Sequence, residues 1–328
     1  MSFSSIQLNN PTISGWVQPN KKIVILDSNS MRARVMNRIL CVAGQIELKS
    51  YLHEIPEQWD LLIVNYDDMS TIEKTLMHQQ FANLLPLRKI IILSCHQPPF
   101  EHMQTTEVFS CNNFLTIRDE VNAQELLVTV QKMLSYGGNI FGLEKYFNWG
   151  SCFFSISIKN SSERESIWNV AADFAAKTGI PSRMQNMFCT VVDELTTNAL
   201  YNAPIDSFGK SKFSFLPRTV EISLDAAISI TFSCDGRALG IAVSDPFGSL
   251  TSTTVTSYLA RCSQKKSSQI VQQSGGAGLG LYSVFESLSH LVVNINKNIQ
   301  TEVIGLLDIR GTYKDFVSQG KSLNIFEV

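Results

Sequence analysis

Apolar and polar positions alternate along the chain in two rhythms. Unbroken apolar runs, "KKIVILD" (21–27), "WDLLIVNYDD" (59–68) and "RKIIILSCH" (88–96), suit strands buried on both faces. Between them, "MRARVMNRILCVAG" (31–44) places Met31, Val35, Ile39 and Leu40 at helical spacing and stops at Gly44. "NNFLTI" (112–117) reads as a shorter fourth strand. "NAQELLVTVQKMLSY" (122–136) reads as an amphipathic helix with Leu126, Val130, Met133 and Leu134 on one face. This alternation predicts an α/β unit over 21–136, a doubly wound parallel sheet whose ligand crevice opens at the strands' carboxyl ends.

The rhythm breaks at "SYGGNIFGLEKYFNWGS" (135–151), where glycines sit among Tyr136, Phe141, Tyr146, Phe147 and Trp149. A flexible linker lacks such aromatics. Segment 137–150 therefore reads as an aromatic joint, packed onto its own domain, between domains or at a subunit contact. Beyond it the pattern changes to α+β. "CFFSISIKN" (152–160) alternates as a strand. Helices follow at 161–179, with a Ser cap and a Gly179 stop, and at 183–204, closed by Pro204. Strands return at 219–225, 227–235 and 238–245, the last two turned by Asp235-Gly236. A short helix near 254–262, a Gly-rich loop opening a helix over 275–290, and a hairpin of 291–298 with 301–310 complete it. Helices with a mostly antiparallel sheet predict a two-layer α/β sandwich over 151–328.

Bulk composition narrows the classes of function. The 328 residues suit about two domains. With 44% hydrophobic and 17% charged residues the chain is ordinary globular material. A net charge of -2 and the lack of any long Lys/Arg run give no electrostatic reason to expect nucleic acid. No apolar run approaches the roughly 20 residues of a membrane span. Residues 1–20 lack the basic start and apolar centre of a secretion signal and read as a polar tail. The seven cysteines are odd in number and scattered, with no CxxC pair, which fits reduced thiols in a cytoplasm. The five histidines show no metal-ligand spacing.

In order and length, 21–136 resembles the receiver domain of bacterial response regulators. The resemblance implies an acidic pair after the first strand, a phosphoacceptor Asp after the third, and a hydroxyl and a Lys at the next two strand ends. Here those positions hold Leu26 and Asp27, Asn65, Ser94 and Ile117. An amide is a poor nucleophile and carries no charge to hold Mg²⁺. A pseudo-receiver is expected, kept for contacts rather than for phosphorylation. Asp67 and Asp68 read as a solvated acidic turn.

Three segments of the second half carry candidate chemistry. "VVDELTTNALYNA" (191–203) places Glu194 and Asn198 four residues apart, on one edge of a helix with a clear apolar face. "VSDPFGSL" (243–250) ends a strand at Asp245 and turns at Gly248. "GGAGLGL" (275–281) opens a helix with Gly275, Gly276, Gly278 and Gly280, where backbone N–H groups and the helix dipole favour anions. Each alone has an ordinary reading: an i,i+4 pair, a capping carboxylate, a turn. Together, in this order, they resemble the GHKL ATPase superfamily. "VVDELTTNALYNA" looks like its N box, "DPFG" its first Gly box and "GGAGLGL" its second.

The resemblance implies ATP and Mg²⁺ as cofactors. Asn198 would coordinate the metal, Asp245 would bind the adenine amine, and Gly276, Gly278 and Gly280 would line the triphosphate, with Gly248 in the first Gly box. Glu194 would be the general base. Segment 249–274, with Lys265 and Lys266, would be the lid. One departure matters: the two usual glycines of the first Gly box are replaced by Phe247 and Ser249. No His lies between His102 and His290, so a phosphoacceptor hairpin is not expected, and 311–328 is too short for a transducer domain. The remaining likeness is to anti-sigma-factor serine/threonine kinases, which implies a sigma factor or a small antagonist protein as partner. The aromatic joint or the second domain offers a surface for a homodimer. The alternative is a non-catalytic adaptor switched by nucleotide.

Overall fold

Eleven strands form one sheet in the computed structural model, which describes residues 21–82, 90–96, 98, 112–117, 121–134, 139–206, 208–265 and 279–328. Five come from the first half: β1 (Lys22–Leu26), β2 (Gln45–Lys49), β3 (Leu61–Asn65), β4 (Ile90–Ser94) and β5 (Asn113–Thr116). They are parallel, in the order β2-β1-β3-β4-β5. β2 is absent from the expectation above. It is a half-exposed edge strand whose Ile46 and Leu48 are interleaved with Gln45, Glu47 and Lys49, so no apolar run marks it. Helices α1 (Ser30–Leu40) and α3 (Ala123–Leu134) cover one face through Met36, Leu40, Leu126 and Val130. Between β3 and β4 lies α2 (Thr71–Ala82), whose Met77 joins the core of the opposite face.

The second half contributes β6 (Phe153–Asn160), β7 (Ser223–Cys234), β8 (Ala238–Asp245), β9 (His290–Asn296) and β10 (Gln300–Asp308), all paired antiparallel. The two strands expected at 219–225 and 227–235 are a single strand, β7. Its helices are α4 (Arg164–Lys177), α5 (Ser182–Thr197), α6 (Ser252–Lys265), α7 (Leu279–Glu286) and α8 (Tyr313–Ser318). The Ser cap expected at 161 is also different. Ser161 Oγ accepts from Ile222 N, while Asn160 and Glu163 form a capping box on the 3-10 turn that leads into α4.

The two expected sheets are joined. β11 (Ser322–Glu327) pairs antiparallel with β5 and parallel with β9, so the sheet runs unbroken from one half into the other. Under one face lies a continuous core, from Val24 and Leu62 through Phe316, Leu323 and Ile325 to Phe188 and Phe232. On the other face the aromatic joint packs within its own chain, with Ile140, Leu143, Tyr146 and Phe147 against Ala242, Val292 and Ile304. Trp149, by contrast, is fully exposed. α3 serves both halves: Leu126 and Val130 face the first, Val128 the second, and Met133 packs against both.

A buried polar seam follows the same line. Asn324 Nδ2 donates to Asn113 Oδ1 (3.1 Å), and Asn324 Oδ1 accepts from Thr129 Oγ1 (3.2 Å) and lies 2.6 Å from His290 Nε2. Lys132 Nζ donates to Asn294 Oδ1 (3.1 Å), whose Nδ2 donates to Glu302 (2.8 Å). Burial pushes the Lys132 pKa down to about 7, and its ammonium sits 4.8 Å from the ring centres of Tyr146 and Phe326. No helix among the described residues is long and apolar enough to cross a membrane.

A shared sheet and core predict shared unfolding. In urea, single-tryptophan variants retaining Trp59 in the first half or Trp168 in the second are expected to report one midpoint. Leu323→Ala, at a fully buried β11 position, is expected to lower both readouts together, by about 2–5 kcal/mol. Two separated midpoints would show that the halves fold independently.

Candidate functional site

α5 is built to bury one face: Val191, Val192 and Leu195 are inaccessible or nearly so. Asp193, on its exposed side, takes a two-pronged ion pair from Arg164 of α4 (2.6 Å for each bond) and ties the two helices together. The helix then widens into a single π turn, Asn198–Asn202, closed by Ala203 N donating to Asn198 O. Such single π turns are frequent at functional sites. Here Asn202 Nδ2 donates to Asn198 Oδ1 (2.7 Å), leaving the Asn198 oxygen one further lone pair.

Beside this turn lies a cavity of about 320 Å³, within the range typical of small-molecule sites. Leu195, Asn198 and Ala199 form one wall, and Val243 and Asp245 of β8 with Thr301 and Val303 of β10 form the floor. Thr254 and Tyr258 of α6 and Leu281 of α7 close it. Of the segment expected as a lid, residues 249–265 are described and include α6; Lys266 lies outside the described residues.

Asp245 is 6% exposed. Burial pushes its pKa up to about 6, against the opposing hydrogen bonds from the backbone of Phe247 and Gly248. Directly across from it on β10 stands Thr301, whose buried hydroxyl has no hydrogen-bond partner. A carboxylate and an unsatisfied hydroxyl side by side, in a mostly apolar pocket, form a built recognition point. Thr301 was not singled out from the sequence. The signal was the hairpin register, which opposes it to Asp245.

Glu194 lies one turn before Asn198 but does not line the cavity. Its carboxylate rests against Gly280 at the start of α7, where a Cβ would collide with Oε2. Burial and the neighbouring Asp193 raise its pKa, while Arg164 and Arg218 pull it down. Gly248 has a positive φ of 56°, and its backbone packs on the β9–β10 turn, where Asn298 N donates to its carbonyl. That contact accounts for this glycine without a ligand. Phe247 packs against the core, and Ser249 Oγ donates to Ala203 O (2.7 Å), tying the loop after β8 to the end of the π turn. Gly275, Gly276 and Gly278 lie outside the described residues.

The strand ends of the first half are arranged differently. Arg32 clasps Asp27 with Nε and Nη2 (2.6 and 2.8 Å) and reaches Asp68 at 3.2 Å. Asn65 Nδ2 donates to Asp68 (2.7 Å), and Ser94 Oγ donates to Asp67 (2.7 Å). Burial pushes Asp67 up, but hydrogen bonds from Cys95 and Ser94 outweigh it and hold its pKa below the usual value. Leu26 and Ile117 are buried in the core. A guanidinium thus stands among the carboxylates at the strand ends, so the acidic turn is ion-paired rather than merely solvated. Asp67, Cys95 and His96 bring their ligand atoms within 4.8 Å of one another, yet both Asp67 oxygens already accept hydrogen bonds.

The chain matches no protein-family model, and no curated protein is similar to it.

The raised pKa of Asp245 sets a sign. An acid whose folded pKa exceeds its unfolded value contributes stability that is present below about pH 4 and lost as pH rises through about 6. Asp245→Asn is therefore expected to stabilise the ligand-free protein at pH 7.5, by up to about 3 kcal/mol, and far less at pH 4. Urea titrations at the two pH values check this; equal effects at both would contradict the buried charge.

Proposed function

We propose that the chain binds an adenine nucleotide with Mg²⁺ in the cavity between α5, β8, β10 and α7, and acts as a protein serine/threonine kinase of the anti-sigma-factor type. The observation that carries this reading is the meeting of Asp245, the unsatisfied Thr301 hydroxyl and Asn198 in one cavity. The donor set suits the ligand. A carboxylate and a hydroxyl can take the exocyclic amine and a ring nitrogen of adenine, and apolar walls take its faces. The spare lone pair on Asn198 suits a hard cation whose other ligands are phosphate oxygens. The first-half fold, with its β2-β1-β3-β4-β5 order, supports the receiver-like reading, and the Arg32 clasp supports its being a contact module.

In this reading Mg²⁺ beside Asn198 supplies charge neutralisation on the phosphates. Asp245 and Thr301 fix the base, and Leu281, Val243 and Val303 exclude water from it. Glu194, made more basic by burial, takes the proton of an incoming Ser or Thr hydroxyl. That oxygen bonds to the terminal phosphorus as the bond to the ADP oxygen breaks. A second reading, a nucleotide-switched adaptor without transfer, is favoured by the exclusion of Glu194 from the cavity lining.

Calorimetry with Mg-ATP tests the common core. Wild type is expected to bind, with Asp245→Asn and Asn198→Ala each weakening affinity at least about tenfold. Affinity is also expected to fall as pH drops through about 6, where Asp245 gains its proton. Absence of nucleotide binding by wild type would end both readings. Glu194→Ala separates them. It is expected to retain binding and, in the kinase reading, to lose transfer of the terminal phosphate to protein. Nucleotide binding by wild type without any such transfer selects the adaptor.

A further inference from the structure

The segment between the π turn and β7 brings to Asn202, a residue of the cavity wall, a cation that the sequence motifs do not contain. Tyr201, buried within the π turn, clamps this segment from beneath. Its phenol donates to Val220 O (3.0 Å), and its carbonyl accepts from Ser211 Oγ (3.3 Å). The Arg218 guanidinium lies over the Tyr201 ring, 4.4 Å from its centre. One nitrogen, Nη2, donates to Asn202 Oδ1 (3.3 Å), and Asn202 in turn holds Asn198. Its charge is close enough to Glu194 to lower that group's pKa.

Arg32, Arg164, Arg237 and Arg310 each pair with a carboxylate. Arg183 and Arg261, like Arg218, lie over tyrosine rings, but among the described residues Arg218 alone of these three also bonds to a residue that lines the cavity, Asn202. Among the described residues no carboxylate forms an ion pair with Arg218. Stacking on an aromatic face fixes a guanidinium while leaving its edge open, and among the described residues one of its five donors is committed, to Asn202. A positioned, unneutralised fork beside two amides has the posture of an oxyanion receptor.

We propose that Arg218 is the specificity residue that reads the terminal phosphate of the bound nucleotide and makes the site prefer a triphosphate to a diphosphate. The inference rests on the adenine-nucleotide reading given above. Within it the ends of the ligand are assigned by chemistry: Asp245 and Thr301 take the base, so Asn198 and Glu194 mark the transfer end. Arg218 bonds to Asn202, which holds Asn198, and its charge acts on Glu194, which puts it nearer the end where the terminal phosphate is held than the end where the base is. Once that phosphate has been transferred, Arg218 loses its partner, and the diphosphate is held less tightly than the triphosphate was.

The test is calorimetry of the full chain with ATP, ADP and AMP in Mg²⁺, for wild type, Arg218→Ala, Arg218→Gln and Arg218→Lys. Thermal melting of each variant shows that Tyr201 and the segment above it stay folded. Arg218→Ala and Arg218→Gln are expected to lose about tenfold in ATP affinity while ADP and AMP change by less than about twofold. Arg218→Lys is expected to recover part of the ATP affinity, since it returns the charge but not the fork. An ATP-to-ADP affinity ratio in the folded Arg218→Ala protein equal to that of wild type overturns the proposal while leaving the nucleotide reading intact. Failure of wild type to bind any of the three nucleotides overturns that reading, and the role of Arg218 with it.

Discussion

The seating of β11 between β5 and β9 is the constraint on which the architecture depends. A sheet edge offers a row of unpaired N–H and C=O groups that must be covered. β11 covers two such edges at once. Its pairing is unequal: six residues match β9 in parallel register, but only Leu323 and Asn324 match β5. The backbone alone would hold the first half weakly. The polar seam of Asn324, Asn113 and Thr129, with Lys132 bonded to Asn294, completes the join. Buried polar groups are costly unless satisfied, so this network penalises any slip of one half against the other.

Seam and cavity share a strand. Thr301 and Glu302 are neighbours on β10, and adjacent residues of a strand face opposite sides of the sheet. Thr301 lines the cavity, while Glu302 accepts from Asn294 and Gly142 N in the seam. The turn before β11 also lies on the first half: Gly320 packs against the Thr116 hydroxyl and the carbonyls of Cys95 and His96, leaving no room for a Cβ. The ends of β4 and β5, where a crevice ligand would enter, are thus in contact with the second half, and Arg32 pairs with the carboxylates Asp27 and Asp68 that follow β1 and β3. The first half meets the rest of the molecule through packing and hydrogen bonds at this face.

The candidate site was partly legible in the chain. Glu194 and Asn198 are four residues apart, and helical geometry alone puts them on one edge. Gly280 was legible as a glycine at a helix start, and its backbone lies against the Glu194 carboxylate. Gly248 was legible as a turn, and a hairpin contact explains it. Thr301 and Arg218 were not legible. A threonine in a strand and an arginine in an irregular segment are common residues, and neither carries a motif. What distinguishes them is a neighbour distant in sequence: Asp245 across a ladder, and Tyr201 beneath a guanidinium.

The sequence by itself determined the elements. Apolar runs marked β1, β3 and β4, helical spacing marked α1, α3 and α5, and Asp235-Gly236 marked the turn between β7 and β8, because each signal arises from residues a few positions apart. Only the tertiary structure decided that two units share one sheet, that the aromatic joint packs on its own chain, and that Asp245, Thr301 and Asn198 enclose one cavity. Those outcomes depend on strand pairing and on burial between distant segments. Their energy comes from surfaces that exist only once both partners have formed, so no window of sequence contains them.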